Sequence, residues 1–239
     1  SDWAFRSTVE PSGEFEHYRE HRVKLYDTLL RYVDAELKRF FATLDDLDDT
    51  LVIVLGDHGE EFWEHHEIER ELFEHPYGDY GIDHGHSLFQ EVVNVPLIVK
   101  NAQTQSNIRE EYVSTVDIVP TVLDELDVSW TPENPYPGQS LSDDGERSFP
   151  VVIEETAYGH QQYAVVEDGY KYIENPSTDV SLLYDLESDP GERNDLSEQP
   201  RMQDTLERLS KAIPTEGVTG AGSEIDAEAR EHLSDLGYL

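Results

Sequence analysis

The chain has 239 residues, which is long enough for one large domain or two small ones with a substantial buried core, so its length permits an enzyme. Its 53 Asp and Glu residues against 17 Lys and Arg give a formal net charge of −36. A chain with this charge repels nucleic acid and anionic membranes at ordinary ionic strength, so we expect no nucleic-acid partner.

The distribution of charge predicts adaptation to high salt. The chain contains only five lysines, and acidic residues occur along its whole length, as in DLDDT at 46–50. Like charges at this density oppose the compact state unless salt screens them, and the screening length falls to about 3 Å at molar salt. The alternative, an acidic protein from a low-salt environment, leaves this self-repulsion unexplained. We therefore predict a halophilic origin.

Three absences limit the chemistry and the topology. The sequence has no cysteine, so any metal site must use oxygen or imidazole ligands. No stretch approaches the roughly 20 apolar residues of a membrane span, and no signal-peptide pattern opens the chain. Since residue 1 is Ser and Met202 is the only methionine, we expect the natural amino terminus to be missing. The location of the protein stays open, with the cytoplasm slightly favoured.

The first part of the chain alternates between helical and strand patterns. Apolar residues recur at three- and four-residue spacing over 18–44, which predicts a helix with one buried face that packs on a sheet. The run LVIVL at 51–55 is typical of a strand that is buried on both faces of a parallel sheet. A second strand is predicted at 95–99, and a third at 150–155. This alternation predicts an α/β architecture with a mostly parallel sheet flanked by helices.

A further helix is predicted after residue 112. Ser114 and Thr115 are suitable caps for the stretch STVDIVPTVLDEL, but Pro120 lies inside this pattern. The helix therefore starts either near Ser114 or at Pro120, with Asp117 near its entrance.

From about residue 160 the pattern changes to short antiparallel strands. Asp168 and Gly169 separate two strand-like runs, which is a strong two-residue hairpin signal. A third strand is predicted at 182–186 and a helix near 201–212, followed by a flexible link and a last short helix. We therefore divide the chain into an α/β part at 1–159 and a small antiparallel subdomain at 160–239.

A candidate site follows the predicted strand at 51–55. Ligands of open α/β sheets bind beyond the carboxyl ends of strands, and Asp57 and His58 follow this strand directly. Gly56 and Gly59 allow a tight turn there. An adjacent Asp and His suit a divalent cation such as calcium, manganese or zinc. The alternative is a turn in which Asp57 merely caps the next segment.

Five of the ten histidines lie between residues 60 and 86. We interpret His65, His66 and His75 as solvated loop residues, because many carboxylates surround them in the sequence. His84 differs because it lies between Asp83 and Gly85, just before the chain returns to the sheet. We therefore predict that His84 lies near the crevice that contains Asp57.

Several motifs in order resemble the carboxyl-terminal half of the sulfatase family, within the alkaline phosphatase-like superfamily. They are LVIVLGDHGEEF, DHGHSLFQEVVNVPLIV, YVSTVDIVPTVLDEL, GYKYI and LLYDLESDPGERNDL. The resemblance implies a parallel sheet between helices, with a smaller carboxyl-terminal antiparallel sheet and helix. It also implies a metal-dependent sulfuric ester hydrolase that acts on a small-molecule or glycan sulfate ester.

The resemblance assigns roles to individual residues. It implies that Asp57 and His58 bind one divalent cation, with calcium expected and manganese as the alternative. It implies that His84 is the cationic residue that approaches the sulfate, with His86 the weaker candidate. Asp117 matches a family position that we interpret as structural.

The chain departs from the family in one respect. The nucleophile motif of the family, C/S-x-P-S-R, does not occur in the 239 residues, and SDPGER at 188–193 is only a distant imitation. We therefore expect this chain to act with a missing amino-terminal half, and to be inactive alone. Two alternatives remain: a phosphate or phosphonate ester hydrolase or phosphoglycerol transferase of the same superfamily, and a non-catalytic acidic remnant or partner subunit.

Overall fold

The structure is a computed structural model that describes residues 13–45, 47, 49–72, 81–100, 108–131, 138–142, 147, 149–154 and 161–213. In this part of the chain, no helix is both long enough and apolar enough to cross a membrane.

The first helix, α1 (Gly13–Phe41), confirms the predicted helix but not its predicted buried face. Its first turns pack on an aromatic cluster, where the Phe15 ring meets the Trp63 ring edge-on at 5.1 Å between centroids. Farther along, Leu29, Val33 and Phe40 of the predicted apolar stripe are each at least half exposed. The spacing of the stripe predicts a helix correctly, but burial also needs a surface opposite, and the described residues supply one only along the first half of α1, as far as Tyr26.

The first two long strands pair with each other. β1 (Val52–Leu55) runs antiparallel to β4 (Leu97–Lys100), with Val52 opposite Lys100 and Leu55 opposite Leu97. The prediction that the first strand is buried on both faces is wrong, because its residues are only half-buried and Leu55 is exposed. The predicted mostly parallel sheet is not seen either, since every strand pair among the described residues is antiparallel.

Four short elements connect β1 to β4. β2 (Glu61–Phe62) and β3 (Ile82–Asp83) form a small antiparallel ribbon, with Glu61 opposite Asp83. α2 (His66–Leu72) lies between them in sequence, and α3 (Gln90–Val93) precedes β4. This ribbon determines which His and Glu side chains meet in the site.

The predicted helix after residue 112 begins as a 3-10 turn, Thr115–Asp117, and continues as α4 (Ile118–Glu125). Ser114 is the capping residue, which confirms the first alternative, and Pro120 lies within the first turn of α4 rather than at its start. The proline fits there because a first-turn residue has no helical partner for an N–H group.

A four-stranded antiparallel sheet forms the carboxyl-terminal region. Its strands are β5 (Val151–Glu154), β6 (Tyr163–Glu167), β7 (Tyr170–Asn175) and β8 (Val180–Asp185), in that order. The predicted hairpin is confirmed, since Asp168 and Gly169 link β6 to β7 with φ of 53° and 77°.

The edge strand of this sheet lies before the predicted boundary at residue 159. β5 was expected to join the first sheet but pairs with β6, and the boundary itself stays a prediction. A 3-10 turn (Pro200–Met202) and α5 (Gln203–Ser210) confirm the predicted helix near 201–212. The predicted link and last helix lie outside the described residues.

The carboxyl-terminal sheet is covered on both faces. On one face Leu88 and Phe89 pack with side chains of the strands, among them Ile173 and Tyr184. On the other face Met202, Leu209 and Ile213 pack with Val165, Tyr172 and Leu183. Because Leu88 and Phe89 lie just before α3, the first cluster joins the sheet to the segment that carries His84.

Candidate active site

The turn after β1 is held close to the segment that carries α3 and β4. The Gly56 N–H donates to the Pro96 carbonyl at 3.1 Å, and the Gly59 N–H donates to the Val92 carbonyl at 2.7 Å. A Cβ atom on Gly59 would lie 1.9 Å from the Glu91 carbonyl oxygen, so this position requires glycine. The two glycines thus fix the backbone on either side of Asp57 and His58.

Three side chains at the mouth of this turn form what we call the open cluster: His58, Glu60 and His84. The rings of His58 and His84 stack with their centroids 3.6 Å apart and their planes 26° apart. Glu60 Oε2 lies 3.0 Å from Nδ1 of His84 and accepts a hydrogen bond when that nitrogen is protonated. The structure therefore brings His58 and His84 together, although 26 positions separate them in sequence.

The His58 ring is oriented by the backbone. Its Nδ1 lies 2.8 Å from the Gly59 carbonyl, so Nδ1 carries the proton and donates it to that oxygen. The neutral ring then has an unprotonated Nε2, which is the form that binds a metal ion.

Asp57 lies beside His58 and outside the open cluster. Its Oδ1 accepts the His58 backbone N–H at 3.0 Å, and its Oδ2 lies 3.8 Å from His58 Nε2. The side chain is 72% exposed. The oxygen and the nitrogen are close enough to share one cation, and the donors nearby are two imidazoles and the Glu60 carboxylate. This donor set fits a divalent cation, and imidazole donors are favourable for manganese or zinc.

The open cluster lies on the wall of a large cleft. The cleft has a volume of about 790 Å³, and Asp57, His58 and His84 all line it. The lining also includes residues 109–116 and strand β5. Arg109 of this lining pairs with Glu111 Oε2 at 3.4 Å, and its Nη1 donates to the Leu141 carbonyl at 2.6 Å. The cleft is large enough for a small ester of an anionic group.

Sequence reasoning missed Glu60 and Arg109. The signal for Glu60 was present, since it follows His58 by two residues, but its pairing with His84 depends on the β2–β3 ribbon. Each strand of this ribbon has only two residues, which is too short to show a period in the sequence. Arg109 lay between predicted elements and carried no motif.

A second group, which we call the buried cluster, lies behind the open cluster: Glu61, Glu69 and His86. Burial raises the pKa of Glu61 to about 7, with the Glu69 charge adding to the rise and His86 opposing it. Burial alone would lower the pKa of His86, but the two carboxylates raise it to about 10. His86 thus lies between two carboxylates and does not line the cleft.

The interpretation of His65 as a solvated loop residue is wrong. Its side chain is buried, stacks on the Phe89 ring at 3.9 Å, and contacts Glu91 Oε2 through Nδ1 at 3.3 Å. Its Nε2 lies 3.1 Å from the Gly191 carbonyl, so His65 joins the site region to the carboxyl-terminal region. His66 is half-buried, with Nδ1 3.1 Å from the Trp63 carbonyl, and His75 lies outside the described residues.

The turn at 188–193, which resembles the missing nucleophile motif only distantly, has a structural role. Glu192 Oε1 forms a fully buried ion pair with Lys171 Nζ at 2.8 Å, and Glu192 Oε2 accepts the Gln90 N–H at 2.6 Å. Burial lowers the pKa of Lys171, while the Glu192 carboxylate opposes that shift.

The interpretation of Asp117 as structural is confirmed. Its buried carboxylate accepts the backbone N–H groups of Ser114 at 2.8 Å and Gln139 at 2.9 Å, and pairs with Arg147. The Asp117 carboxylate thus links the segments that contain Ser114, Gln139 and Arg147, and its oxygens are occupied by these contacts.

Comparison with known proteins gives the family. The sulfatase family model matches residues 3–128, more than half of the chain, so the chain belongs to the sulfatase family. Choline-sulfatase of Rhizobium meliloti (strain 1021) is 28% identical over 78% of this chain and 35% of its own length. Delta 4,5-hexuronate-2-O-sulfatase of Bacteroides thetaiotaomicron is 24% identical over 94% of this chain and 45% of its own length.

The fold is also similar to that of a solved enzyme structure. The phosphonate monoester hydrolase of Agrobacterium radiobacter aligns with a TM-score of 0.54 and 22% identity, over 75% of this chain and 38% of that one. This likeness concerns the fold alone. The chain spans less than half the length of each of these three proteins.

Proposed function

We propose that this chain supplies one wall of the active site of a metal-dependent sulfuric ester hydrolase. The observation that carries the proposal is the open cluster, in which His58 and His84 line a large cleft next to Asp57 while Glu60 contacts His84. Membership of the sulfatase family supports the reaction class. The names of the two sulfatase relatives support a sulfate ester, of a small molecule or a glycan, as substrate.

The ligands of the cation follow from the donors at the turn. Asp57 and His58 would bind the cation, because Asp57 Oδ2 and His58 Nε2 lie 3.8 Å apart, while the hydrogen bonds that orient the two side chains use Asp57 Oδ1 and His58 Nδ1 instead. Calcium is the cation we propose, with manganese as the alternative that two nearby imidazoles support. When bound, a divalent cation stabilises negative charge that develops on the ester oxygens.

His84 would contact the substrate directly. Glu60 orients the ring through Nδ1, and in the imidazolium form Nε2 donates a hydrogen bond to a sulfate oxygen or to the departing oxygen. The side chain is 43% exposed, so a ligand in the cleft can reach it.

The chain by itself would not turn over a sulfate ester. Covalent catalysis needs a nucleophile, and the sequence lacks both cysteine and the motif C/S-x-P-S-R. Calcium takes about 6–8 oxygen ligands, so Asp57 and His58 alone are also too few. We propose that an amino-terminal half supplies the remaining groups and packs on the exposed stripe of α1, where Leu29 and Val33 are 54% and 50% exposed.

A phosphonate or phosphate ester is the second candidate substrate. The fold likeness to a phosphonate monoester hydrolase fits this alternative. Sulfate and phosphate esters present nearly the same oxygen geometry to a cation and a histidine, so the open cluster suits both. The nucleophile in the segment upstream of this chain separates them, since a Cys or Ser in C/S-x-P-S-R favours sulfate and a Thr favours phosphoryl transfer.

The test is hydrolysis of an aryl sulfate at high salt with added calcium or manganese, by this chain and by the protein extended upstream. We expect turnover only by the extended protein, with a large loss of kcat in Asp57→Asn and His84→Ala. Glu198→Gln, at an exposed carboxylate outside the lining of the cleft, is the matched control and should keep its activity. Turnover by this chain alone that Asp57→Asn abolishes would contradict the missing-half proposal, and an active His84→Ala enzyme would remove His84 from the mechanism.

We also propose that the protein is adapted to high salt. The support is the net charge of −36 and the scarcity of lysine. A circular dichroism titration should show the folded signal strengthening towards molar KCl. An equally cooperative unfolding transition at low and high salt would exclude this adaptation.

A further inference from the structure

The β2–β3 ribbon presents two clusters of His and Glu, not one. Glu60 and Glu61 are adjacent residues at the start of β2. His84 and His86 lie two positions apart in the segment that follows β3, the partner strand of β2. Glu60 and His84 belong to the open cluster on the cleft, whereas Glu61 and His86 meet Glu69 of α2 in the buried cluster. The function proposed above uses the first cluster and leaves the second unexplained.

The buried cluster is closed to solvent. The side chains of Glu61, Glu69 and His86 are 0%, 1% and 5% exposed, and one ligand atom from each lies within 4.8 Å of the others. Burial of two carboxylates is very unfavourable unless positive charge compensates them. A single imidazolium neutralises one of the two, and the second carboxylate needs either a proton or a further cation.

The distances between donor atoms match a metal site better than an ion pair. His86 Nε2 lies 3.4 Å from Glu61 Oε2 and 3.3 Å from Glu69 Oε2. Charge-assisted N–H···O hydrogen bonds are shorter, about 2.7–2.9 Å. The edges of a tetrahedron with zinc–ligand bonds of about 2.0–2.1 Å are about 3.3–3.4 Å long.

Both carboxylates are already oriented by the backbone. Glu61 Oε1 accepts the His65 N–H at 2.9 Å, and Glu69 Oε2 accepts the Gly81 N–H at 2.6 Å. The oxygens nearest His86 Nε2 are Glu61 Oε2, which is not the oxygen that His65 uses, and Glu69 Oε2, which has a second lone pair beside the bond from Gly81. Hydrogen bonds that orient metal ligands from behind are a common feature of metal sites, and these two oxygens would be the coordinating atoms.

We propose that Glu61, Glu69 and His86 bind a structural zinc ion, separate from the cation of the cleft. Two carboxylates and a neutral imidazole balance the charge of Zn²⁺, and zinc binds both carboxylate oxygen and imidazole nitrogen, with a water molecule in the fourth position of a tetrahedral site that has three protein ligands. The ion would join β2, α2 and the segment after β3, and so fix the ribbon that carries Glu60 and His84. The competing arrangement is an ion triad in which His86 stays protonated.

The test uses the full chain with the open cluster removed by His58→Ala and His84→Ala, dialysed at high salt against a weak chelator. Mass spectrometry of the metal content should find one zinc ion per chain, and cobalt exchanged into the site should show the intense visible absorption of four-coordinate Co²⁺. Adding His86→Gln should abolish both signals, while adding Glu60→Gln should preserve them. Absence of bound zinc, or equal zinc content with His86→Gln, would overturn the proposal.

A second measurement does not depend on whether the His86→Gln chain folds. Nitrogen-15 NMR of the histidine rings in the unmutated chain distinguishes a metal-bound Nε2 from a protonated one. We expect zinc to convert the His86 signal to the metal-bound form and to raise the melting temperature. A His86 ring that stays doubly protonated in excess zinc would establish the ion triad instead.

Discussion

The β1–β4 pair and the β5–β8 sheet are built from similar apolar sequences but differ completely in burial. In the first, Leu55 and Ile98 are 41% and 62% exposed, whereas in the second Val165, Ile173 and Leu183 are fully buried. The second sheet has a cover on each face, from α5 on one side and Leu88 and Phe89 on the other. An apolar run therefore predicts a strand, while the elements packed on it determine what the strand contributes to stability.

The largest loss of stability should come from breaking the buried ion pair between Glu192 and Lys171 of β7. Glu192→Gln keeps the volume of the side chain but leaves the Lys171 charge buried without its partner, so the free energy of unfolding should fall by about 3–5 kcal/mol. Urea unfolding in molar KCl measures it. The control is Glu207→Gln, which breaks an exposed pair with Lys211 and should leave the midpoint unchanged. Equal midpoints for the two variants would show that Lys171 finds another partner.

Truncation of one leucine or isoleucine in each sheet tests the comparison directly. Leu183→Ala removes a fully buried side chain and should cost about 2–5 kcal/mol, because it leaves a cavity between β8 and α5. Ile98→Ala, on the exposed face of β4, should change the stability of this chain by less than about 0.5 kcal/mol. Equal losses in urea unfolding would mean that β4 is covered in solution by a surface that the described residues do not contain.

A glycine substitution tests how tightly the half-exposed region still holds the candidate site. Gly59→Ala places a Cβ atom 1.9 Å from the Glu91 carbonyl oxygen, so we expect a loss of about 1–3 kcal/mol. His58 should move with the displaced turn, which its NMR signal would report. Gly191→Ala is the matched control, since the nearest atom, Arg193 Nε, lies 3.8 Å from the added Cβ. A Gly59→Ala chain as stable as this control would show that the turn is loose.

The most gradual change in the free energy of unfolding should be the one that pH causes through the buried cluster, measured in the presence of a chelator. The pKa of His86 is about 10 in the folded chain and about 6.5 when unfolded, so the folded state retains a proton that the unfolded state has lost between these values. Stability should therefore fall as pH rises from about 6.5 to 10, by at most about 1.4 kcal/mol per pH unit. Glu61, with a folded pKa of about 7 and an unfolded value near 4.5, adds a fall between those two values.

His86→Gln isolates the histidine contribution to this pH dependence. The variant should lose the decline above pH 6.5 relative to the unmodified chain, as measured by melting temperature. An unchanged pH profile would assign the decline to other groups.

Features that depend on neighbouring residues in sequence could be predicted, and those that depend on distant pairing could not. The turn at Asp168 and Gly169 and the cap at Ser114 follow from local conformational preference and local hydrogen bonding, and the structure contains both. The burial of His65 depends on Phe89 and on Gly191, which is 126 positions away, so its surroundings in sequence gave a wrong interpretation. The meeting of Glu60 with His84 likewise depends on a ribbon of two-residue strands.

The contact between His65 and the turn at Gly191 and Glu192 has a consequence for synthesis on the ribosome. Residues 126 and 127 positions apart make this contact, so the first part of the chain emerges long before its partner. At about 5–20 residues per second, the interval is roughly 6–25 s. During that time His65 and Glu91 lack the cover of the later turn, and Gln90 lacks the Glu192 acceptor. The carboxyl-terminal sheet should therefore complete the packing of the site region only after most of the chain has been made.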